Sequence, residues 1–432
     1  MRTPADADLS GDWNLRLQSV GNGGYAGFIP YDALGNALKD GYVAAATDTG
    51  HAASSLDGRF AMKPDRSIDE GLVEDFAHRS VHEMTLNAKK LINAFYHTGP
   101  RYSYWNGCST GGRQGLMEAQ RYPTDYDGIL AGAPAIHWDR FIVAELWPQV
   151  VMHQELGHPI AAEKLTALSK AILATFDNAD GVTDGIVANP SQINVPDELI
   201  KQAGLNDKEL RAVRKIWSGP RDVHGHALWY ELEPSAPFTG LAGPQPFPIP
   251  VAYLGLWLQQ NPEWDWKQLT YAGYEKLFME SQQRYHAIIG TDNPDLSAFK
   301  QAGGKLIMWH GWNDQLIFPK GTIDYHQRLL KAMGGAAHTD DFARLFMAPG
   351  VEYCRGGAGP NQIAGMEALT QWVEGEKAPD SLTARKIVDS LTVMERPLCA
   401  YPQEAVYDGH GDANTAAAFV CTSTLQTKNR SQ

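Results

Sequence analysis

Four short apolar runs punctuate the chain: GYVAAAT at 41–47, DGILAGAP at 127–134, KLIMWH at 305–310 and FARLFMAP at 342–349. Glycine, proline or charged residues bound each run, and none alternates strictly, so each predicts a strand buried on both faces. Residues 13–20 (WNLRLQSV) alternate well enough for another strand, and the aromatic run at 102–105 (YSYW) predicts one more. Between these runs the period lengthens to that of a helix. Val81, Met84, Ala88, Leu91, Ile92 and Phe95 share one face over 80–97, and Leu116, Met117 and Gln120 recur at helical spacing over 112–121. Strands alternating with helices predict a mainly parallel sheet covered on both faces, an α/β fold.

That alternation stops near residue 138 and resumes at 305. Helices are predicted at 161–176 and 207–217, followed by Pro- and Trp-rich segments carrying Trp217, Trp229, Trp257, Trp264 and Trp266. This stretch reads as a cap inserted over the carboxyl edge of the sheet, where ligands bind in such folds. Most of its tryptophans form the cap's own core, with one or two turned toward a ligand. Residues 48–66 read as loop. A helix over 362–372 is the last element assigned.

The 432 residues can bury a large core, and 43% hydrophobic with 20% charged residues leaves no long disordered tract. A net charge of −13 argues against a nucleic-acid partner, which needs clustered Lys and Arg. No window approaches the apolar length of a membrane span. The start, MRTPADADLSGD, lacks the basic and apolar regions of a signal peptide. Four cysteines, Cys108, Cys354, Cys399 and Cys421, permit three disulfide pairings or four thiols. No C-x-x-C is present, which speaks against a zinc site.

The chemistry centres on Gly107-Cys108-Ser109-Thr110-Gly111, a G-x-S-x-G pattern between a predicted strand and helix. In that setting the pattern marks a nucleophile elbow. Serine then needs a base and an orienting acid, in the chain order Ser, Asp, His. Asp314, in HGWNDQ just after the strand at 305–310, is well placed as the acid. The base should lie after Pro349, but GVEYCRGG at 350–357 contains no histidine. His338 precedes that strand and His410 lies far downstream. The loop Gly21-Asn22-Gly23-Gly24-Tyr25-Ala26-Gly27 fits a dinucleotide motif, yet Phe28-Ile29-Pro30 and Gly35 interrupt the helix that motif requires. It reads better as a source of backbone N–H groups for an oxyanion. In DNADGVTDGI, Asp177, Asp180 and Asp184 suit a hard cation with oxygen ligands, though not at EF-hand spacing.

WNLRLQSVGNGGYAG, NGCSTGGRQGLMEAQRYP, HGWNDQLIFP and the PG-x-x-x-C-x-GG loop together resemble the tannase and feruloyl esterase family, which includes the bacterial hydrolase of mono(2-hydroxyethyl) terephthalate. The resemblance runs over nearly the whole chain. It implies an α/β-hydrolase core, 1–138 and 300–432, with a lid domain over 139–299. It also implies serine esterase chemistry on small aromatic esters of feruloyl, galloyl or terephthaloyl type. Ser109 is the implied nucleophile and Asp314 the acid, with the amides of Thr110 and of Gly23 or Gly24 holding the oxyanion. A disulfide Cys108–Cys354 is implied, which leaves Cys399 to pair with Cys421. The implied cofactor is a structural calcium held by the side chains of Asp177, Asp180 and Asp184 and the carbonyls of Val182 and Ile186. The expected location is secreted or periplasmic.

The chain departs from the family at three places. Tyr353 stands at the base histidine position, Phe176 stands where a cysteine often precedes the calcium loop, and the stretch before WNLRL is shorter. The phenol predicts an intact pocket with strongly reduced turnover, or a disabled homologue that binds aromatic esters or acids.

Overall fold

The computed structural model describes residues 13–423. Residues 1–12 and 424–432 of the expected core lie outside the described residues. Six parallel strands form the central sheet in the order β2-β1-β3-β4-β5-β6. They are β1 (Arg16–Val20), β2 (Val43–Ala45), β3 (Tyr102–Cys108), β4 (Gly128–Gly132), β5 (Lys305–Gly311) and β6 (Ala343–Ala348). Central β4 is buried at every position, and only the first residue of neighbouring β5 is not. Two covered faces explain why neither run alternates. β2 is only half-buried, contrary to the expectation at 41–47, because it lies at the sheet edge with a single neighbour.

The helix Ser80–Tyr96 buries Val81, Thr85 and Ile92, but Leu91 and Phe95 from its predicted apolar face are exposed. A helix Tyr31–Lys39 does follow the glycine-rich loop. Pro30 sits at its N-cap, where a missing N–H costs no helical bond, and Gly35 faces open space. The supposed interruption is therefore a helix start. Residues 48–66 are loop except for a single turn, Gly58–Ala61.

Between β4 and β5 the described chain is helical. The expected helices appear as Ala162–Phe176 and Asp207–Trp217, the second opened by an Asn206/Glu209 capping box. Trp147–Leu156 and the long Tyr271–Ile289 join them. Trp138, Trp147, Trp217, Trp229 and Trp257 share one apolar cluster with Tyr25 and Phe76 from the first part of the chain, and Trp264 and Trp266 pack against it. The insertion reaches the loop after β5: the Asn313 amide donates to the Ser235 carbonyl at 3.0 Å, and the Gly240 N–H donates to Gln315 Oε1 at 2.8 Å.

The last helix is Gly365–Gly375, shifted from 362–372 because Gln362–Ile363 forms a short strand, β7. Beyond it, β8 (Ser381–Val388) and β9 (Leu391–Cys399) pair antiparallel, as do β10 (Gln403–Tyr407) and β11 (Phe419–Ser423).

Candidate functional site

Ser109 follows the last residue of β3 and precedes the helix Thr110–Arg121. Its backbone is strained, with φ 65° and ψ −126°. Three bonds hold it there: its N–H donates to the Gly132 carbonyl at 2.9 Å, and its carbonyl accepts from Arg113 at 3.0 Å and from Ala135 at 3.1 Å. The glycine-rich loop lies directly against this turn. A Cβ on Gly21 would stand 2.4 Å from Gly111 Cα, so Gly21 tolerates no side chain, and one on Gly111 would meet the Asn22 carbonyl oxygen tightly at 3.0 Å. The Gly111 N–H donates to the Asn22 carbonyl at 2.8 Å, and Thr110 Oγ1 donates to the Gly24 carbonyl at 2.6 Å. Gln114 accepts from the Asn22 N–H and donates to its side-chain oxygen. Loop and elbow are thus one rigid unit. Among the described residues, no protein acceptor takes the N–H of Thr110, Gly23 or Gly24.

Behind the elbow, Arg113 is fully buried and donates to the carbonyls of Phe76 and Ala77. Those carbonyls belong to a π-helical turn, Asp75–Arg79, and burial lowers the guanidinium pKa to about 9.

Asp314 is fully buried three residues past β5. Its Oδ1 accepts the N–H groups of Leu316 and Ile317 at 2.8 and 3.1 Å. Its Oδ2 lies 3.0 Å from His310 Nε2, which also lies 2.8 Å from the Ile317 carbonyl. Both neighbours of that nitrogen are acceptors, so Nε2 carries the proton and Nδ1 accepts from Thr322 at 2.9 Å. Burial raises the Asp314 pKa against these hydrogen bonds.

Tyr353 comes from the loop after β6, and its hydroxyl hydrogen-bonds Ser109 Oγ. Its ring packs against the insertion's apolar cluster. Burial, and then the charge of Asp314, pushes the phenol above its ordinary pKa, while the Ser109 bond opposes the shift. Among the described residues no hydrogen bond joins Asp314 to Tyr353; the carboxylate is engaged by His310 and two amides instead. His310 and Glu145 also stand beside Asp314, and no sequence signal marks either for that place. Glu145 is 3% exposed, its Oε2 has no partner, and burial followed by Asp314 holds its carboxyl well above the usual range. His310 opens the HGWNDQ stretch four positions before Asp314, yet nothing in that stretch gives it this role, and Glu145 comes near only through the tertiary structure.

A disulfide joins Cys108 to Cys354 across 246 positions, with Cα atoms 5.9 Å apart. It ties the residue before the serine to the residue after the tyrosine. Cys399 and Cys421 form the second bridge, between β9 and β11.

The acidic loop lies elsewhere, against the base's loop and the C-terminal strands. A cavity of about 30 Å³ is lined by Asp180, Asp184, Ile186, Pro349, Arg396 and Phe419 among others. Asp177 Oδ1 accepts the N–H groups of Asp184, Gly185 and Ile186, and Asp180 Oδ1 accepts that of Val182. Asp184 gives Oδ1 to the Ile186 N–H and Oδ2 to Arg396 at 2.7 Å. Burial raises the Asp180 pKa, with Asp184 and Asp177 adding to it.

The family model described as tannase and feruloyl esterase matches residues 7–248 and 252–422. A probable feruloyl esterase of Arthroderma benhamiae is 39% identical, over 96% of this chain and 81% of its own length. The mono(2-hydroxyethyl) terephthalate hydrolase of Piscinibacter sakaiensis is 29% identical, over 96% and 80%. The crystal structure of feruloyl esterase B from Aspergillus oryzae superposes with a TM-score of 0.87 at 26% identity, over 95% of this chain and 85% of that one. The chain belongs to the tannase and feruloyl esterase family, carboxylic ester hydrolases of the α/β-hydrolase type.

Proposed function

We propose that this chain is a serine hydrolase scaffold for small aromatic esters, of feruloyl, galloyl or terephthaloyl type, in which Tyr353 holds turnover far below that of a histidine-bearing site. Ser109 Oγ attacks the ester carbonyl. The oxyanion falls to the free N–H of Thr110 and to that of Gly23 or Gly24, each donor contributing about 3 kcal/mol to the barrier reduction. The insertion serves as a lid that closes over the acyl group. The nucleophile's proton is where the scheme falters.

The observation that carries this reading is the hydrogen bond between Tyr353 and Ser109. An ordinary phenol is roughly 0.1% ionised at pH 7, a deficit of about 4 kcal/mol in a base. Loss of the triad base in a serine hydrolase costs on the order of 10⁶ in turnover, or about 8 kcal/mol. Hydrolysis of methyl ferulate or methyl gallate by the chain and by Tyr353→His tests it. The variant gains at least about 10³-fold in kcat; equal rates overturn the proposal.

A second reading is a disabled homologue that binds aromatic esters or acids without turning them over. Tyr353 favours it, since its ring fills space between Ser109 and the insertion.

The acidic loop suits a structural calcium. Asp177 and Asp180 each commit one carboxylate oxygen to backbone N–H groups and keep the other. With Asp184 and the carbonyls of Val182 and Ile186 they supply only hard oxygen donors. The Arg396–Asp184 pair is the one feature that opposes binding. The ion would fasten the insertion to the base's loop and the C-terminal strands. Two disulfides fit an oxidising compartment, secreted or periplasmic.

A further inference from the structure

On the face of the elbow helix away from Ser109, three side chains from separate elements converge. His82 comes from the helix Ser80–Tyr96, Glu118 from the helix Thr110–Arg121, and Asp125 from the turn that follows. One ligand atom from each lies within 4.8 Å of the others. His82 Nδ1 is 2.6 Å from Asp125 Oδ2. Glu118 is 1% exposed, and among the described residues neither of its carboxylate oxygens has a hydrogen-bond donor. A buried carboxylate in that condition requires either a proton or a cation.

We propose that His82, Glu118 and Asp125 form a divalent transition-metal site that takes zinc, outside the catalytic centre. One imidazole nitrogen and two carboxylates make a three-ligand protein set, with water as the fourth ligand. Zinc at ordinary bond lengths spaces tetrahedral ligands about 3.4 Å apart, so the cluster needs to open by less than an ångström between His82 and Asp125. The His82 side chain is 24% exposed, which gives the ion a way in. Tyr122 stacks on that imidazole at 3.9 Å, and its hydroxyl lies 2.8 Å from His78 Nδ1. The ring is therefore held in orientation from behind. Lys89 faces the cluster but donates to the Asp125 carbonyl, leaving the carboxylates free. All four cysteines are tied in disulfides, which excludes thiolate-held zinc; this donor set needs no cysteine. The bound ion would pin the elbow helix to its neighbour and to the turn at 122–127.

The test is equilibrium dialysis of the full chain against zinc, with millimolar calcium present to saturate the acidic loop. One zinc binds per chain, and His82→Ala and Glu118→Gln each weaken it by at least about tenfold. His226→Ala, at an exposed His/Asp pair, leaves binding unchanged. Cobalt added to the unaltered chain develops the visible absorption of a nitrogen- and oxygen-ligated ion, a readout that depends on no variant folding. If zinc and cobalt fail to bind, or bind equally to the His82→Ala chain, the proposal is overturned, and Glu118 is then held by a proton shared with Asp125.

Discussion

The phenol of Tyr353 hydrogen-bonds the hydroxyl of Ser109. Of the two groups the phenol is the stronger acid, so Tyr353 offers the Ser109 hydroxyl a proton instead of removing one. Burial and the nearby Asp314 charge deepen the mismatch by stabilising the neutral phenol.

A raised phenol pKa means that the ionised fraction is small throughout the neutral range and grows tenfold for each unit of pH. Esterase kcat/KM on methyl ferulate should therefore climb about tenfold per unit between roughly pH 7 and 9 without levelling. A plateau near pH 7 in the rate profile would show that another base serves Ser109.

Fluorophosphonates report the serine's activation directly. Labelling of Ser109 should be slow in the chain as it stands and at least about 10³-fold faster in Tyr353→His. Intact-mass spectrometry over time measures both. Equal labelling rates would mean that Tyr353 is not what limits the nucleophile.

Glu145 keeps its proton in the folded chain at pH values where the unfolded chain has lost it. Its contribution to stability is complete below the ordinary glutamate pKa and declines as pH rises toward the raised folded value. Glu145→Gln has no such proton to lose. Its Tm, compared with that of the parent, should improve progressively from about pH 5 to pH 8. A pH-independent difference in thermal unfolding would place the unpartnered carboxyl in a wetter setting.

The two disulfides close loops of very different length, 246 and 22 positions. On the chain-entropy relation, the long one stabilises by roughly 5 kcal/mol and the short one by roughly 3 kcal/mol. Replacing Cys108 and Cys354 with serine should lower Tm more than the same change at Cys399 and Cys421. The reverse order in differential scanning fluorimetry would indicate that strain or residual unfolded structure dominates.

Chelation addresses the acidic loop. In zinc-free protein, EDTA should lower Tm by several degrees, calcium should restore it, and Asp177→Ala should respond to neither. An unchanged Tm in EDTA would leave the three aspartates as a turn held by backbone N–H groups alone.

The central sheet was legible because its strands carry unbroken apolar runs, and ILA at 129–131 or LIMW at 306–309 has no other comfortable place. The C-terminal strands went unread although Leu382 and Ala384 are buried at alternate positions. Pro397 inside β9 hid the pattern, and the fold accommodates it because β9 is the edge of the β7-β8-β9 sheet, where a missing N–H is tolerated. At the site, Ser109, Asp314 and the two bridging cysteines stand in short local motifs. His310 stands four positions before Asp314 in the same HGWNDQ stretch, but its pairing with the carboxylate shows only in the fold; Glu145 comes near Asp314 through tertiary packing alone. Leu91 and Phe95 err in the other direction: helical periodicity put them on the apolar face, but among the described residues they are exposed.

The bridge from Cys108 to Cys354 also imposes a timetable on synthesis. The ribosome releases the first sulfur long before its mate exists, and all of the insertion emerges in between. Until residue 354 appears, a bare thiol sits next to Ser109, and no other cysteine lies between positions 108 and 354. The centre can be sealed only once most of the polypeptide has been made, so a truncated product carries its serine on an unfastened loop.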